Sequence, residues 1–237
     1  MIRVLSIGNS FSQNATQWLE VLTEDVYSRN LYIGGCGLER HRDNVLADAK
    51  EYHYEESGSR CIARDVSVKE VLLAEKWDFV TFQQDSGHSG LIGSFYPYLT
   101  ELFAYVRQYT DAEFLLHETW AYDVTTNHPH FEYYDRDPKK MYRMISETYR
   151  EVSEKEGLRV IRSGDAVEKL RATEPFDSGK GGLFVTCEDG FHLSENYGKF
   201  LVACVWMKFF TGKTPVFFDR KELSAPYAAI RDVVLSL

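Results

Sequence analysis

The stretch "VLSIGNSFSQNATQWLEVL", residues 4–22, runs from a short apolar segment into a helical pattern through a Gly-Asn-Ser turn. The apolar bunching predicts a buried strand over residues 3–7. The later spacing predicts a helix over residues 14–28, with Asn14 and Gln17 as a capping box. Ser10 stands where the strand stops. In an open parallel sheet, ligands gather beyond the carboxyl ends of the strands, where strand order reverses, and a central first strand borders that point. The helix that follows adds free N–H groups and partial positive charge. Ser10 therefore has two readings. It is a turn and capping residue like its neighbours Ser12 and Asn14, or it is a nucleophile at the open edge of a sheet.

Outward from this stretch, short β-type runs at 30–33, 79–82, 113–117 and 159–162 alternate with helical patterns near 64–76, 95–109, 138–155 and 195–211. Continuous apolar strands separated by crossover helices predict a three-layer α/β/α sandwich around a five-stranded parallel sheet. No repeat, low-complexity tract or linker divides the chain, so one domain over residues 1–237 is expected. Two polar stretches, 39–59 and 120–137, read as excursions of the kind that carry specificity. The 237 residues are 44% hydrophobic with a formal charge of −9, which supports a proper core and argues against nucleic acid or an anionic membrane surface as partner. The apolar run at 200–210 carries Lys208 and is too short to span a bilayer. Strand-like sequence begins directly after Met1-Ile2-Arg3, leaving no room for a signal peptide, so a cytoplasmic location is expected. The four cysteines lack CxxC spacing, as befits reduced thiols. No histidine pair shows helical metal-ligand spacing, so neither a metal nor a cofactor is expected.

A serine nucleophile needs a base. The segment "CEDGFHLSENYGKF", residues 187–200, places Asp189 three residues before His192 with Gly190 between them. A carboxylate at that spacing can fold back onto Nδ1 of the imidazole and leave Nε2 to take a proton. An ordinary turn pair has the same spacing, and the residues alone leave both readings open.

Together, Gly8-Asn9-Ser10-Phe11-Ser12 and Asp189-Gly190-Phe191-His192 resemble the blocks of the SGNH (GDSL-like) hydrolase superfamily, and the whole chain resembles a little-characterised bacterial branch of it. The resemblance implies a flavodoxin-like sheet of strand order 2-1-3-4-5. It implies Ser10 as nucleophile, His192 as general base and Asp189 as the carboxylate that orients it. It also implies an oxyanion hole built from the Ser10 N–H, a glycine after the second strand and an amide side chain after the third. "YIGGCGLERH", residues 32–41, offers Gly35 for the second donor. "VTFQQDSGHSG", residues 80–90, departs from the family's Gly-x-Asn-Asp and offers Gln83 or Gln84 for the third, without deciding between them.

The implied reaction is ester hydrolysis through an acyl-enzyme intermediate. The implied partner is a small-molecule ester such as an acetylated sugar, with Trp120, Tyr122 and His128 placed to frame it. The competing class is a non-catalytic protein that binds an anion or sugar with the glycines at 34, 35 and 37. That reading gives Asp189 and His192 no task. Acyl preference and oligomeric state are not written in these residues.

Overall fold

The computed structural model describes residues 1–177 and 180–237. Its centre is β1 (Ile2–Gly8), whose Val4, Leu5 and Ile7 are buried. In β1, Leu5 lies opposite Arg29 of β2 (Val26–Tyr32) on one side and opposite Val80 of β5 (Phe79–Phe82) on the other, both pairings parallel. Strand β6 (Glu113–His117) continues the sheet beside β5, and β7 (Arg159–Ile161) closes it. These five parallel strands, counted alone, run in the expected order 2-1-3-4-5.

The sheet has seven strands, not five, in the order β4-β3-β2-β1-β5-β6-β7. The two additions, β3 (Tyr52–Glu56) and β4 (Cys61–Val66), form an antiparallel ribbon on the free edge of β2. Most of their residues are only partly buried or exposed, and charged and polar residues interrupt the apolar ones. An edge ribbon therefore lacks the continuous apolar run by which central parallel strands are recognised. The rest of that polar stretch folds as α3 (Leu38–Leu46).

The first helix is shorter than its pattern suggested. It consists of α1 (Ser10–Thr16) and α2 (Leu19–Leu22), and the residues up to 28 already belong to β2. Asn9, not Asn14, caps α1: its side chain accepts the Phe11 N–H at 2.9 Å. Helices α5 (Tyr98–Val106) and α6 (Pro138–Glu156) follow the sequence patterns closely, whereas α4 (Val68–Ala74) is shorter than its pattern near 64–76, because residues 64–66 belong to β4. Ser67 and Glu70 form the capping box of α4, and Asp137 caps α6 ahead of Pro138. Two further helices, α7 (Ser163–Arg171) and α9 (Ala225–Leu235), flank α8 (Gly198–Thr211). Asp165 sits inside the first turn of α7, where it accepts the Tyr142 hydroxyl at 2.9 Å.

Helices α1, α2, α7 and α9 pack against α8, while α3 and α4 pack against α5. Trp206 of α8 is fully buried. Docking of α1 on α8 brings the turn after β1 beside the segment that precedes α8, and the candidate site lies there. Among the described residues, no helix is long and apolar enough to cross a membrane.

Candidate functional site

Ser10 is the first residue of α1, directly beyond the carboxyl end of β1. Its Oγ lies 2.9 Å from Nε2 of His192. On the far side of that imidazole, Nδ1 donates to Asp189 Oδ2 at 2.7 Å. A carboxylate only accepts, so Nδ1 carries the ring proton and the Nε2 lone pair faces the serine hydroxyl. Asp189 Oδ1 accepts the N–H groups of Phe191 and His192 at 3.0 and 2.9 Å. Burial works to raise the Asp189 carboxyl, but these N–H groups and the imidazole outweigh it and hold the group below its ordinary value.

The turn that carries this pair is braced from two sides. Gly190 has φ of 73°, and its carbonyl accepts the Asp123 N–H at 2.7 Å. A Cβ there would come within 2.7 Å of the Thr126 N, so glycine satisfies both the backbone angle and the packing. From α1, Asn14 Oδ1 accepts the Leu193 N–H at 2.8 Å and ties the helix that begins with Ser10 to the loop that holds His192. The rings of Phe191 and Phe11 lie against His192, with centroids 4.2 and 6.3 Å away.

A buried hydrogen-bond chain leads to Asn9 from α8. The Trp206 indole donates to Ser163 Oγ at 3.3 Å, and that hydroxyl meets His117 Nε2 at 3.1 Å. His117 Nδ1 donates to Gln83 Oε1 at 2.6 Å, and Gln83 Nε2 donates to Asn9 Oδ1 at 2.7 Å. Burial alone pushes the His117 imidazole down to about 3, so the ring is neutral and can donate at one nitrogen while accepting at the other. Asn9 Nδ2 in turn donates to the Cys36 carbonyl at 2.9 Å, which fixes the loop that contains Gly35. Neither the Ser10 nor the Gly35 N–H donates to a backbone carbonyl among the described residues.

The two glutamines are not equivalent. Gln84 Oε1 accepts the N–H groups of Leu38 and Asp85, and its Nε2 donates to the Ser94 carbonyl and hydroxyl. Its amide is committed to joining loops. Gln83 uses one amide hydrogen on Asn9, beside Ser10, and keeps the other.

The expected aromatic frame is placed differently. Trp120 is fully buried, stacked on Phe11 at 4.0 Å, and its Nε1 donates to the Phe191 carbonyl at 2.8 Å. Tyr122 is also fully buried, with its hydroxyl 2.7 Å from Ser86 Oγ and 3.3 Å from His128 Nδ1. Neither ring face is open to stack on a sugar; both brace the His192 loop from beneath. His128 is half-buried, its ring centroid 5.2 Å from that of Phe191. The residues that sequence reasoning missed, Asn14 as a tether and His117 as the end of the Gln83 chain, act through contacts far apart in sequence. No local spacing marks them.

The family described as "Domain of unknown function (DUF4886)" matches residues 3–220. No curated protein matches the chain. A crystal structure of a DUF4886 family protein from Bacteroides uniformis superposes with a TM-score of 0.87 at 31% identity, over 99% of this chain and 93% of that one. A proposed SGNH hydrolase from Slackia heliotrinireducens gives 0.60 at 19% identity, over 88% and 98%. A carbohydrate acetylesterase family member from Sinorhizobium meliloti gives 0.53 at 14% identity, over 90% and 100%. The fold is that of the SGNH hydrolases.

Proposed function

The chain belongs to the DUF4886 family, and on that footing we propose that it is a serine ester hydrolase that removes short acyl groups, acetyl above all, from a carbohydrate or other small ester. The observation that carries this reading is the 2.9 Å approach of Ser10 Oγ to His192 Nε2, with Asp189 behind the ring. His192 takes the Ser10 proton as Oγ attacks the ester carbonyl. The tetrahedral oxyanion collapses, His192 protonates the departing alcohol, and an acyl-Ser10 ester remains. Water, deprotonated by the same imidazole, then attacks the acyl carbonyl, releases the acid and returns the proton to Ser10. General-base assistance of this kind contributes about 10²–10⁴-fold.

The oxyanion takes the N–H groups of Ser10 and Gly35 and the remaining amide hydrogen of Gln83. Gln84, spent on Ser94, is not among the donors. Losing one such donor typically costs roughly 10²–10³-fold in kcat. Gln83→Ala is therefore expected to lower kcat on that scale, while a scaffolding role alone would lower stability and leave kcat near wild type. The preference for acetyl rests on the fold shared with a carbohydrate acetylesterase family member.

The deciding experiment compares p-nitrophenyl acetate with longer-chain p-nitrophenyl esters, using the wild type, Ser10→Ala and His192→Ala. Turnover of the acetate that falls to background in both variants is the expected result. Turnover that survives Ser10→Ala in a folded protein would overturn the reading.

A further inference from the structure

The Asp-x-x-His construction that holds His192 occurs a second time. Asp85 follows β5, and its Oδ1 accepts the N–H groups of Gly87 and His88 at 3.0 and 3.2 Å while its Oδ2 lies 2.8 Å from His88 Nδ1. The two turns differ in what faces the imidazole. Ser10 stands opposite His192, whereas His130, from the short 3-10 turn Pro129–Tyr134, stands opposite His88 with ring centroids 4.7 Å apart. One ligand atom from each of Asp85, His88 and His130 falls within 4.8 Å of the other two.

Three features mark this cluster as more than a turn with a neighbour. His130 Nδ1 is buried and has no hydrogen-bond partner among the described residues. A buried polar atom left so is destabilising, and an ion is one way to satisfy it. Gly87 lets the His130 ring close on the turn, because a Cβ there would overlap that ring. The side chains also reach solvent: Asp85 and His88 line an open groove of about 360 Å³ that gives an ion a way in. Two imidazoles and one carboxylate form a borderline-soft donor set. It suits zinc and its neighbours and is poor for magnesium or calcium, which prefer oxygen.

We propose that Asp85, His88 and His130 bind a divalent transition cation of the zinc class, with the fourth tetrahedral position open to water or to a ligand oxygen entering from the groove. The sequence hides this site because His130 comes from a different loop, far along the chain from the Asp85–His88 turn. The site stands apart from the esterase reading, since none of its ligands is Ser10, His192 or Asp189.

The test is calorimetric titration of the metal-stripped full chain with Zn²⁺, repeated with Co²⁺ so that its visible absorption reports coordination geometry. Wild type is expected to bind one equivalent. His88→Ala, His130→Ala and Asp85→Asn are each expected to weaken binding by at least about tenfold. Asp85→Asn keeps an acceptor for the turn N–H groups, and far-ultraviolet circular dichroism checks that each variant is folded. Gly87→Ala removes no ligand but displaces the His130 ring, and should weaken binding too. Ser10→Ala and His192→Ala should bind as wild type does. Binding to wild type no tighter than to His130→Ala would overturn the proposal. So would binding abolished by His192→Ala, which would put the ion at the serine instead.

Discussion

Asn9 joins the start of α1, the end of β5 and the Gly35 loop through one side chain. Its replacement by alanine removes a helix cap worth about 1 kcal/mol and strands the buried Gln83 amide at about 1–3 kcal/mol. Urea denaturation of Asn9→Ala should therefore show a loss of roughly 2–4 kcal/mol. Asn9→Asp keeps the acceptor but not the bond to Cys36, and should fall between. At this scale the sequence was partly legible. Ser10, Asp189 and His192 stood out because a strand-end turn and an Asp-x-x-His spacing are local signals. Gln83 and His117 did not pair on paper, since their contact depends on β5 and β6 being neighbours in the sheet. For a related reason the sequence does not orient Trp120 and Tyr122: aromatic residues after a strand look like a binding platform until burial shows which way they face.

Between elements, the bond from Asn14 to the Leu193 N–H locks α1 to the loop ahead of α8. Asn14→Ala leaves Ser10, His192 and Asp189 in place but frees the loop to drift. Because small misplacements of reacting groups cost up to about 10²-fold, kcat for p-nitrophenyl acetate should fall between tenfold and that limit. Phe191→Ala, which leaves this tether intact, tests whether packing on the ring matters as much; a loss larger than that of Asn14→Ala would place the constraint in the aromatic contacts. In the sequence Asn14 reads as a helix cap, but it lies inside α1, whose cap is Asn9. A capping asparagine and a tethering asparagine look alike until the far loop is folded against them. The β3–β4 ribbon is hidden in the sequence for a different reason. Tyr52, His53, Tyr54, Glu55 and Glu56 alternate too weakly, and the ribbon is only half covered.

For the molecule as a whole, three buried groups set opposing pH dependences. Burial pushes His117 down to about 3, and burial aided by the nearby Arg40 charge pushes His41 down to about 3 as well. Unfolded, both take up protons near pH 6.5, so their contribution is fully present above that pH and is lost as pH falls toward 3. Glu118 runs the other way. Burial, aided by Asp165, raises it to about 8, so its contribution is present below an unfolded value near 4.5 and is lost as pH rises through 8. Between pH 4.5 and 6.5 the histidines gain stability as pH rises while Glu118 opposes them, and burial raises Glu55 and Glu168 in the same sense as Glu118. Above pH 6.5 the histidines no longer contribute a slope, and Glu118 goes on losing its contribution as pH rises through about 8. Denaturation midpoints should therefore fall between pH 6.5 and 8, and Glu118→Gln should flatten that alkaline limb. A midpoint that rises steadily to pH 8 would show that Glu118 titrates normally. The α/β class could be read from the alternation of strands and helices, because burial on both faces writes apolar runs into the chain, whereas the order of the parallel strands came only from the resemblance to the SGNH hydrolases. The titrating interior could not, since charge inside a fold depends on what surrounds it.

Ser10 and His192 are separated by 182 residues, yet they meet within hydrogen-bond distance. A ribosome extends the chain from one end, so the hydroxyl emerges long before its imidazole. Strands β1 and β2 can pair early, because both lie within the first 32 residues. On the proposed esterase reading, the serine beside them stays an ordinary alcohol until the segment before α8 has been made and α8 has docked on α1. A nascent chain that stops short of His192 is then expected to be chemically quiet, with reactivity arriving only once that segment has folded against Ser10.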